Sequence, residues 1–387
     1  MATPWHTALE EAQQSGRLID LVDSRFHQNG LTPDPEIFQR SFQSWLTNRS
    51  YEPDSRGRSS ARKAVSRFYQ DRGIAVKEDA VLLTSGTSEA YRLIFTALSS
   101  KGDLALLPRP GYPLFEHLAA HARLQTAFYR QPYRLGWQPD SKSLVPLLTK
   151  QCRFLVLISP NNPTGQTLTV ETLRQLDELP GTEDLVWIVD EVFDACSPEP
   201  IPRPGALFPH RKVITLNGIS KRFGSPDLKL AWLALSGPDS WVESVSEHLA
   251  LVNDAYLGVN DYSQVLLPEL FTSMNSWQKT VRDLLQTNRR AAELWMTQHP
   301  QVEGLLPNGG IHGLWKWKTA ADDDEAWSIS LLKNQQLSVH PGYFYDVEEP
   351  GIWTVYTLLV EPLRFQEGLE RLSAELSSSV GHSWTRL

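Results

Sequence analysis

The chain has 387 residues, of which 41% are hydrophobic and 21% are charged, as is usual for a globular protein with a sizeable core. Its formal net charge of −8, with the basic residues scattered, argues against a nucleic-acid partner. No apolar run approaches the ~20 residues that span a bilayer, so we predict no membrane partner. The polar start predicts no signal peptide, and Cys152 and Cys196 form no disulfide or metal-ligand pattern. We therefore expect a cytoplasmic protein without a metal site.

The middle of the chain alternates between apolar segments and segments with helical periodicity. The strand-like segments are 80–85, 103–108, 153–160, 184–191, 212–217 and 228–237, and the helix-like ones are 87–100, 112–122 and 169–179. Continuous apolar strands that alternate with helices predict a mostly parallel sheet covered on both faces. Sheets of this kind bind ligands beyond the carboxyl ends of their strands, so the informative residues should follow strands.

The C-terminal part has a different pattern. A long amphipathic helix is predicted over 276–299 and another near the end, with short strands in "GGIHGLWKWK", "LSVHPGYFYD" and "GIWTVYTLLV". This pattern predicts a smaller α+β domain, onto which the N-terminal segment packs. The expected division is a large domain over 46–255 and a small domain made of 1–45 and 256–387.

The segment "TSGTSEA" (84–90) joins a predicted strand to a predicted helix. Gly86 permits a tight turn there, and Thr87 and Ser88 place hydroxyls beside the free N–H groups of the helix start. Such a turn suits an anion such as phosphate. The same residues are also typical of an ordinary helix cap.

Two further loops follow predicted strands. "PRPGYPLF" holds Tyr112 between glycine and proline, where its ring either stacks on a flat ligand or belongs to an ordinary proline turn. "SPNNPTG" places Asn162 in a turn from which its amide can reach a ligand oxygen.

The last two segments carry charged groups next to apolar strands. Asp190 ends "VWIVD", and a carboxylate there needs a partner, either a protonated ring nitrogen or a structural salt bridge. "NGISKRFGSPDLKLAW" contains Ser220, Lys221 and Lys229. A nucleophilic lysine must lose its proton against a reference pKa of ~10.4, which burial or neighbouring cations make easier. Lys229 then offers a second charge to a phosphate, unless both lysines are merely surface charges.

Together these segments predict a phosphate cradle, a stacking ring, an oxygen ligand, a carboxylate and a lysine on successive strand ends. That set matches pyridoxal 5′-phosphate. Lys221 would form the Schiff base with the cofactor and then move the proton of the substrate α-carbon, and Asp190 would keep the pyridine nitrogen protonated.

The strings SPNNPTG, DEVF and SK…LK resemble those of the class I/II aminotransferases, which are fold-type I pyridoxal-phosphate enzymes. The resemblance implies an α/β protein with a three-layer large domain, a mostly parallel seven-stranded sheet, and a smaller α+β domain from the two termini. It also implies a homodimer with shared active sites, in which Tyr51 reaches the phosphate of the neighbouring subunit. "HPGYFYD" resembles a loop near the site.

Three cofactor-binding positions depart from the family pattern. Phe193 stands where the family usually has a tyrosine that hydrogen-bonds the cofactor's phenolic oxygen, which leaves that contact to Asn162. Gly218 replaces a serine that holds the phosphate, and Lys229 replaces an arginine and so loses a bidentate fork.

The largest departure concerns the substrate. The family usually supplies a C-terminal arginine for the α-carboxylate, whereas Val355 falls at or near that position here and Arg364 comes too late. Two accounts remain open. Either the segment "DSRFHQNG", with Arg25 and Gly30, binds the carboxylate, or the substrate lacks a free α-carboxylate. Arg25 also fits a plain surface arginine.

Other aromatic and histidine side chains have two interpretations each, as site residues or as structural ones: His27, His340, Trp315, Trp317, Tyr343, Phe344 and Tyr345. The predicted function is an aminotransferase acting on an amino acid or related amine, with a keto acid as the acceptor. The alternatives are a lyase, decarboxylase or C–C bond-forming enzyme with the same cofactor, favoured by the missing arginine, and a cofactor-sensing regulator.

Overall fold

The computed structural model describes residues 3–50 and 53–381, so Tyr51 lies outside the described residues. The α-helices are α1 (Pro4–Gln14), α2 (Pro35–Thr47), α3 (Ser59–Gln70), α4 (Thr87–Leu98), α5 (Leu114–His121), α6 (Ser141–Leu144), α7 (Val170–Asp177), α8 (Pro204–Leu207), α9 (Ile219–Arg222), α10 (Asp239–Asp254), α11 (Asp261–Ser273), α12 (Asn275–Gln298), α13 (Asp324–Gln335) and α14 (Pro362–Gly381). The strands are β1 (Ile19–Asp20), β2 (Val81–Thr84), β3 (Leu104–Arg109), β4 (Gln125–Arg130), β5 (Cys152–Ile158), β6 (Val186–Asp190), β7 (Lys212–Gly218), β8 (Ala231–Ser236), β9 (Val302–Glu303), β10 (His312–Trp317), β11 (Leu337–Ser338), β12 (His340–Pro341) and β13 (Ile352–Thr357).

Seven strands form the central sheet, in the order β2-β8-β7-β6-β5-β3-β4. Only β8 runs antiparallel to its neighbours, so the predicted mostly parallel sheet is confirmed. Alternate residues of β6 pack into two separate apolar clusters, with Ile188 in one and Trp187 in the other. Both faces of the sheet are therefore covered, which explains why its strands are continuously apolar.

The two ends of the chain pack together, as the sequence predicts. A four-stranded antiparallel sheet has the order β12-β13-β10-β9, and β1 pairs with β11 in parallel through Ile19 and Leu337. Helix α1 packs on α13, and the Trp5 indole donates a hydrogen bond to the Val339 carbonyl at 3.1 Å. The division into domains at 45/46 and 255/256 stays a prediction.

Two tryptophans that had two interpretations belong to the packing of this smaller sheet. The Trp315 ring stacks on Tyr356 with centroids 3.7 Å apart, and the Trp317 indole donates to the Thr354 hydroxyl at 2.8 Å. Both are buried and neither lines a cavity at the sheet ends. Within residues 3–50 and 53–381, no helix is both long and apolar enough to cross a bilayer.

Candidate active site

A cavity of about 310 Å³ lies at the carboxyl ends of the central strands. It brings together most of the residues that sequence analysis selected: Thr87, Ser88, Tyr112, Asn162, Asp190, Phe193, Gly218, Ser220, Lys221, His340 and Tyr345. They lie at the ends of β2, β3, β5, β6 and β7 or within four residues after them, and in the loop around β12. Parallel strands end at one edge of a sheet, so residues far apart in sequence converge there.

Lys221 lies in the short helix α9, immediately after β7, and its side chain turns into the cavity. Its ammonium donates a hydrogen bond to the Ser24 carbonyl at 3.4 Å. Burial lowers the pKa of Lys221, and the nearby Cys196 and Asp23 offset only part of that effect. A lowered pKa increases the fraction of Lys221 whose amine carries no extra proton, and a nucleophilic lysine requires that neutral form.

Asp190 ends β6 and is 5% exposed. The Val192 N–H donates to one carboxylate oxygen at 3.1 Å, and the Tyr91 hydroxyl donates to the other at 3.2 Å. Burial raises the pKa of Asp190 to about 6, because these two hydrogen bonds do not replace its hydration. No cation among the described residues forms an ion pair with it, so the site offers an acceptor to a positively charged ligand group.

The residues that follow these two groups point away from the cavity into a buried ion network. Glu191 accepts a hydrogen bond from Arg203 at 3.1 Å, and Asp194 accepts hydrogen bonds from Arg203 at 2.8 Å and from Arg222 at 2.6 Å. The network holds the ends of β6 and β7 in place, since breaking one partner of a buried ion pair leaves an uncompensated charge.

The other end of the cavity lies at the start of α4. Thr87 begins the helix, and Thr87 and Ser88 line the cavity. The Lys229 ammonium is 3.9 Å from the point that a Cβ on Gly86 would occupy, so this exposed side chain lies next to the turn without lining the cavity. Free N–H groups, two hydroxyls and a nearby ammonium suit a phosphate.

Between the two ends lie the groups predicted to contact a ring. The Tyr112 side chain is exposed on the cavity rim, and Phe193 meets His312 edge to face with centroids 5.7 Å apart. The side-chain oxygen of Asn162 is buried and has no hydrogen-bond partner among the described residues. An amide orientation is set by its partners, so Asn162 can present either its oxygen or its NH₂ group to a ligand.

These observations fit pyridoxal phosphate. It is costly to bury the side-chain oxygen of Asn162 without a partner and the carboxylate of Asp190 without a cation. A ligand with a polar ring substituent and a protonated nitrogen would satisfy both groups. The turn before α4 would accommodate the phosphate, and Lys221 lines the same cavity as Asp190.

Several lining residues were not assigned from the sequence: Val22, Ser24, Tyr91, Leu114, Phe115, Leu118, Ile158, Val192, Ala231 and His312. Tyr91 had a signal, since it follows Thr87 by four positions and therefore lies on the same face of α4. His312 lies in β10, more than ninety residues from Lys221 in sequence, and only the packing of the two sheets brings it to the site.

Comparisons with known proteins agree with this geometry. The family described as aminotransferase class I and II matches residues 36–351. The chain belongs to the class I and II aminotransferases. The alanine aminotransferase of Mycobacterium tuberculosis (strain ATCC 25618 / H37Rv) is 26% identical over 396 residues, covering 92% of this chain and 91% of that protein. The glutamate-pyruvate aminotransferase AlaA of Escherichia coli (strain K12) is 26% identical over 314 residues, covering 79% and 77%.

Solved structures show the same fold. An aminotransferase from Escherichia coli superposes with a TM-score of 0.87 at 23% identity, covering 100% of this chain and 96% of that one. The alanine aminotransferase from Pyrococcus furiosus gives a TM-score of 0.89 at 22% identity, covering 98% and 100%. The predicted family, the predicted fold class and the predicted transferase activity are therefore confirmed. The comparisons give no support to the lyase, decarboxylase or C–C bond-forming alternative.

In this aminotransferase, the N-terminal residues proposed for carboxylate binding lie outside the cavity lining. The Arg25 side chain is 64% exposed and contacts both carboxylate oxygens of Asp23, at 2.7 and 2.8 Å. Gly30 ends a short 3₁₀ turn with φ of 76°. His27 is exposed in the same turn.

The two C-terminal positions considered for carboxylate binding also lie outside the cavity lining. Val355 is buried in β13, and Arg364 donates to the Leu18 carbonyl at 3.0 Å, away from the cavity. Tyr343 donates a hydrogen bond to Glu325, and Phe344 packs against Trp5, so of the three aromatics in that loop Tyr345 alone contributes to the described lining.

Proposed function

We propose that this aminotransferase binds pyridoxal 5′-phosphate covalently through Lys221 and transfers the amino group of an amino acid or related amine to a keto acid. The observation that carries the proposal is the convergence of a buried lysine of lowered pKa and a buried, cation-free aspartate in one cavity. When bound, the cofactor supplies an aldehyde that takes up the amino group and a ring that draws electrons from the donor's α-carbon.

Each residue then has a distinct task. Lys221 holds the cofactor before the reaction, and its amine, once released, removes the proton from the donor's α-carbon and returns it during the second half-reaction. The Ser24 carbonyl orients that amine through the 3.4 Å contact. Asp190 keeps a proton on the ring nitrogen, and Tyr91 and Val192 hold the carboxylate in place for that task.

The remaining contacts position the ring and the phosphate. Tyr112 would cover one ring face, and Asn162 would contact the phenolic oxygen that Phe193, without a hydroxyl, cannot contact. Gly86, Thr87 and Ser88 at the start of α4 would hold the phosphate together with Ser220 and Lys229. These are binding roles, since none of these groups exchanges a proton with the donor.

We also propose a cytoplasmic homodimer with shared active sites. Tyr112 is exposed on the cavity rim and Lys229 is exposed beside the turn before α4, so the cofactor would have an open side in a single subunit. Large exposed apolar side chains lie on α2 and after α10, at Phe42, Leu46, Tyr256 and Leu257. Burying them between two subunits would stabilise association, and Tyr51 of the partner subunit would reach the phosphate.

The test is a single half-reaction followed by absorbance. An amino donor should convert the lysine-bound cofactor to its aminated form, and a keto acid should reverse the change. Lys221→Ala should form no borohydride-reducible adduct, whereas the control Lys229→Gln should still form one at higher cofactor concentration. Release of carbon dioxide without amino transfer would instead indicate a decarboxylase, and light scattering that gives one subunit mass would contradict the dimer.

A further inference from the structure

The charge inventory of the cavity is unusual for an enzyme that handles amino acids. The described residues that line it include one lysine and one aspartate, Lys221 and Asp190, and no arginine. Both charges already have tasks in the proposed function, on which this inference depends. A free α-carboxylate would therefore find no further cation among the described lining residues, and burying an unpaired carboxylate is costly.

The smaller sheet shows what occupies the wall opposite the strand ends. In its register Val355 lies directly between Leu314 on β10 and His340 on β12. Cross-strand partners point to the same face, and His312 precedes Leu314 by two residues, so His312, Val355 and His340 share one face. His312 and His340 both line the cavity. The smaller sheet thus supplies two imidazoles to the cavity lining, whereas Val355 is fully buried in an apolar cluster with Leu314 and Trp353.

The two imidazoles are neutral hydrogen-bonding groups. Burial lowers the pKa of His312 to about 3, with a further contribution from Lys221. Burial likewise lowers the pKa of His340 to about 4, with a contribution from His6. His340 shares a hydrogen bond of 3.1 Å with the Tyr345 hydroxyl, which leaves its other ring nitrogen for a ligand. Neutral donors of this kind bind an uncharged polar group without requiring a counterion.

The guanidinium of Arg25, which the N-terminal segment offers for the carboxylate, is already engaged. Arg25 forms a bidentate pair with Asp23 and points to solvent. Bringing it into the cavity would break both contacts and leave the Asp23 carboxylate, itself near Lys221, without its partner. Bidentate arginine–carboxylate pairs are the strong form of this contact, so such a rearrangement is unfavourable.

We propose that the preferred amino donor is a primary amine without a free α-carboxylate, whose uncharged polar or apolar substituent faces His312 and His340. The apolar arm of the donor lies against Leu114, Phe115 and Leu118, which line the same cavity. The site thus selects its donor through two uncharged imidazoles, whereas the α-carboxylate of an amino acid would need a positive charge at that place.

The chemistry does not need the carboxylate. With the cofactor bound, the amine carbon of the donor would be oxidised to a carbonyl, and the cofactor would be reduced by the same two electrons as it takes up the nitrogen. Lys221 would move the proton lost by the α-carbon to the cofactor. The donor amine would displace the Lys221 amine without release of water, so one water molecule would be consumed when the carbonyl product leaves and would supply its oxygen.

The test compares donors that differ only at the α-substituent: L-phenylalanine, L-phenylalaninamide and phenethylamine, with L-alanine, L-alaninamide and ethylamine as a second set. We expect amide or amine to aminate the cofactor of the holoenzyme at least about tenfold faster, per unit concentration, than the matching amino acid. Calorimetry should show hydrocinnamide binding at least about tenfold more tightly than hydrocinnamate, which gives a readout independent of turnover.

Two variants test the wall itself. His340→Arg supplies a cation and should improve hydrocinnamate binding about tenfold, whereas His340→Gln stays neutral and should keep the preference for the amide. Faster amination by the free amino acids, or tighter binding of hydrocinnamate to the unmodified enzyme, would overturn the inference. If the Arg25→Gln variant then lost this preference for a carboxylate, Arg25 would be the residue that binds it. A reducible Lys221 adduct with no amino transfer from any donor would instead overturn the proposed function.

Discussion

The buried carboxylate of Asp190 makes the stability of the cofactor-free protein depend on pH. The isosteric variant Asp190→Asn should remove that dependence. Burial raises its pKa from 3.8 to about 6, and a rise of about two units corresponds to about 3 kcal/mol. A carboxyl group with a raised pKa in the folded state favours folding only below its unfolded-state pKa. That contribution is lost as the pH rises through 6, where the folded state must bear a buried charge.

Asp190→Asn keeps the acceptor for Val192 and the contact with Tyr91 but carries no charge. We expect the variant, without cofactor, to be more stable than the parent by about 1 kcal/mol near pH 4.5 and by about 3 kcal/mol near pH 8. Urea unfolding followed by tryptophan fluorescence measures the difference. With cofactor present the order should reverse, since the ring nitrogen loses its counterion.

The control is Asp194→Asn. Burial alone would raise the pKa of Asp194, but Arg222 and Arg203 outweigh it and hold that pKa below the ordinary value. Removing this charge should therefore destabilise the protein about equally at pH 8 and at pH 4.5, because both values lie above the ordinary pKa of the carboxyl group. An advantage of Asp190→Asn that does not change with pH would refute the electrostatic reasoning.

Three further predictions concern cofactor binding. Tyr91→Phe removes the 3.2 Å donor to Asp190 and should weaken cofactor binding about fivefold to tenfold in a titration of cofactor-free protein, whereas Tyr129→Phe, which loses a 2.7 Å bond to a backbone carbonyl in the core, should not. Phe193→Tyr adds a hydroxyl beside the ring and should lower the pKa of the lysine-bound cofactor in a spectral titration, and an unchanged pKa would place Phe193 away from the phenolic oxygen. Lys229→Arg should tighten cofactor binding and Lys229→Gln weaken it, and equal affinities would exclude a phosphate contact.

The sequence predicts that the site residues converge, because its hydrophobic pattern shows where the strands end. Thr87, Asn162, Asp190 and Lys221 each lie at the end of an apolar strand or within four residues after it, and a parallel sheet brings such positions to one edge. What it cannot predict is the wall supplied by the smaller sheet. His312 reaches the cavity only through the register of β10 against β13 and the docking of that sheet, which are long-range features.

Side-chain pairing is the other feature that the sequence does not predict. Arg25 is an isolated basic residue in the sequence, and nothing there reveals that Asp23, two positions earlier, takes up its guanidinium. Conversely, Tyr345 and Phe344 are adjacent aromatics, yet they lie on different sides of their loop, one in the cavity and one against Trp5. Packing against the distant helix α1 decides the second outcome.

The most direct measurement is peptide mapping of the borohydride-reduced holoenzyme by mass spectrometry. A cofactor-sized mass addition on the peptide that contains Lys221, absent from Lys221→Ala, is the predicted result. A label on a different lysine, or a yellow protein that carries no covalent label after reduction, would mean that the amine buried beside β7 does not hold the cofactor.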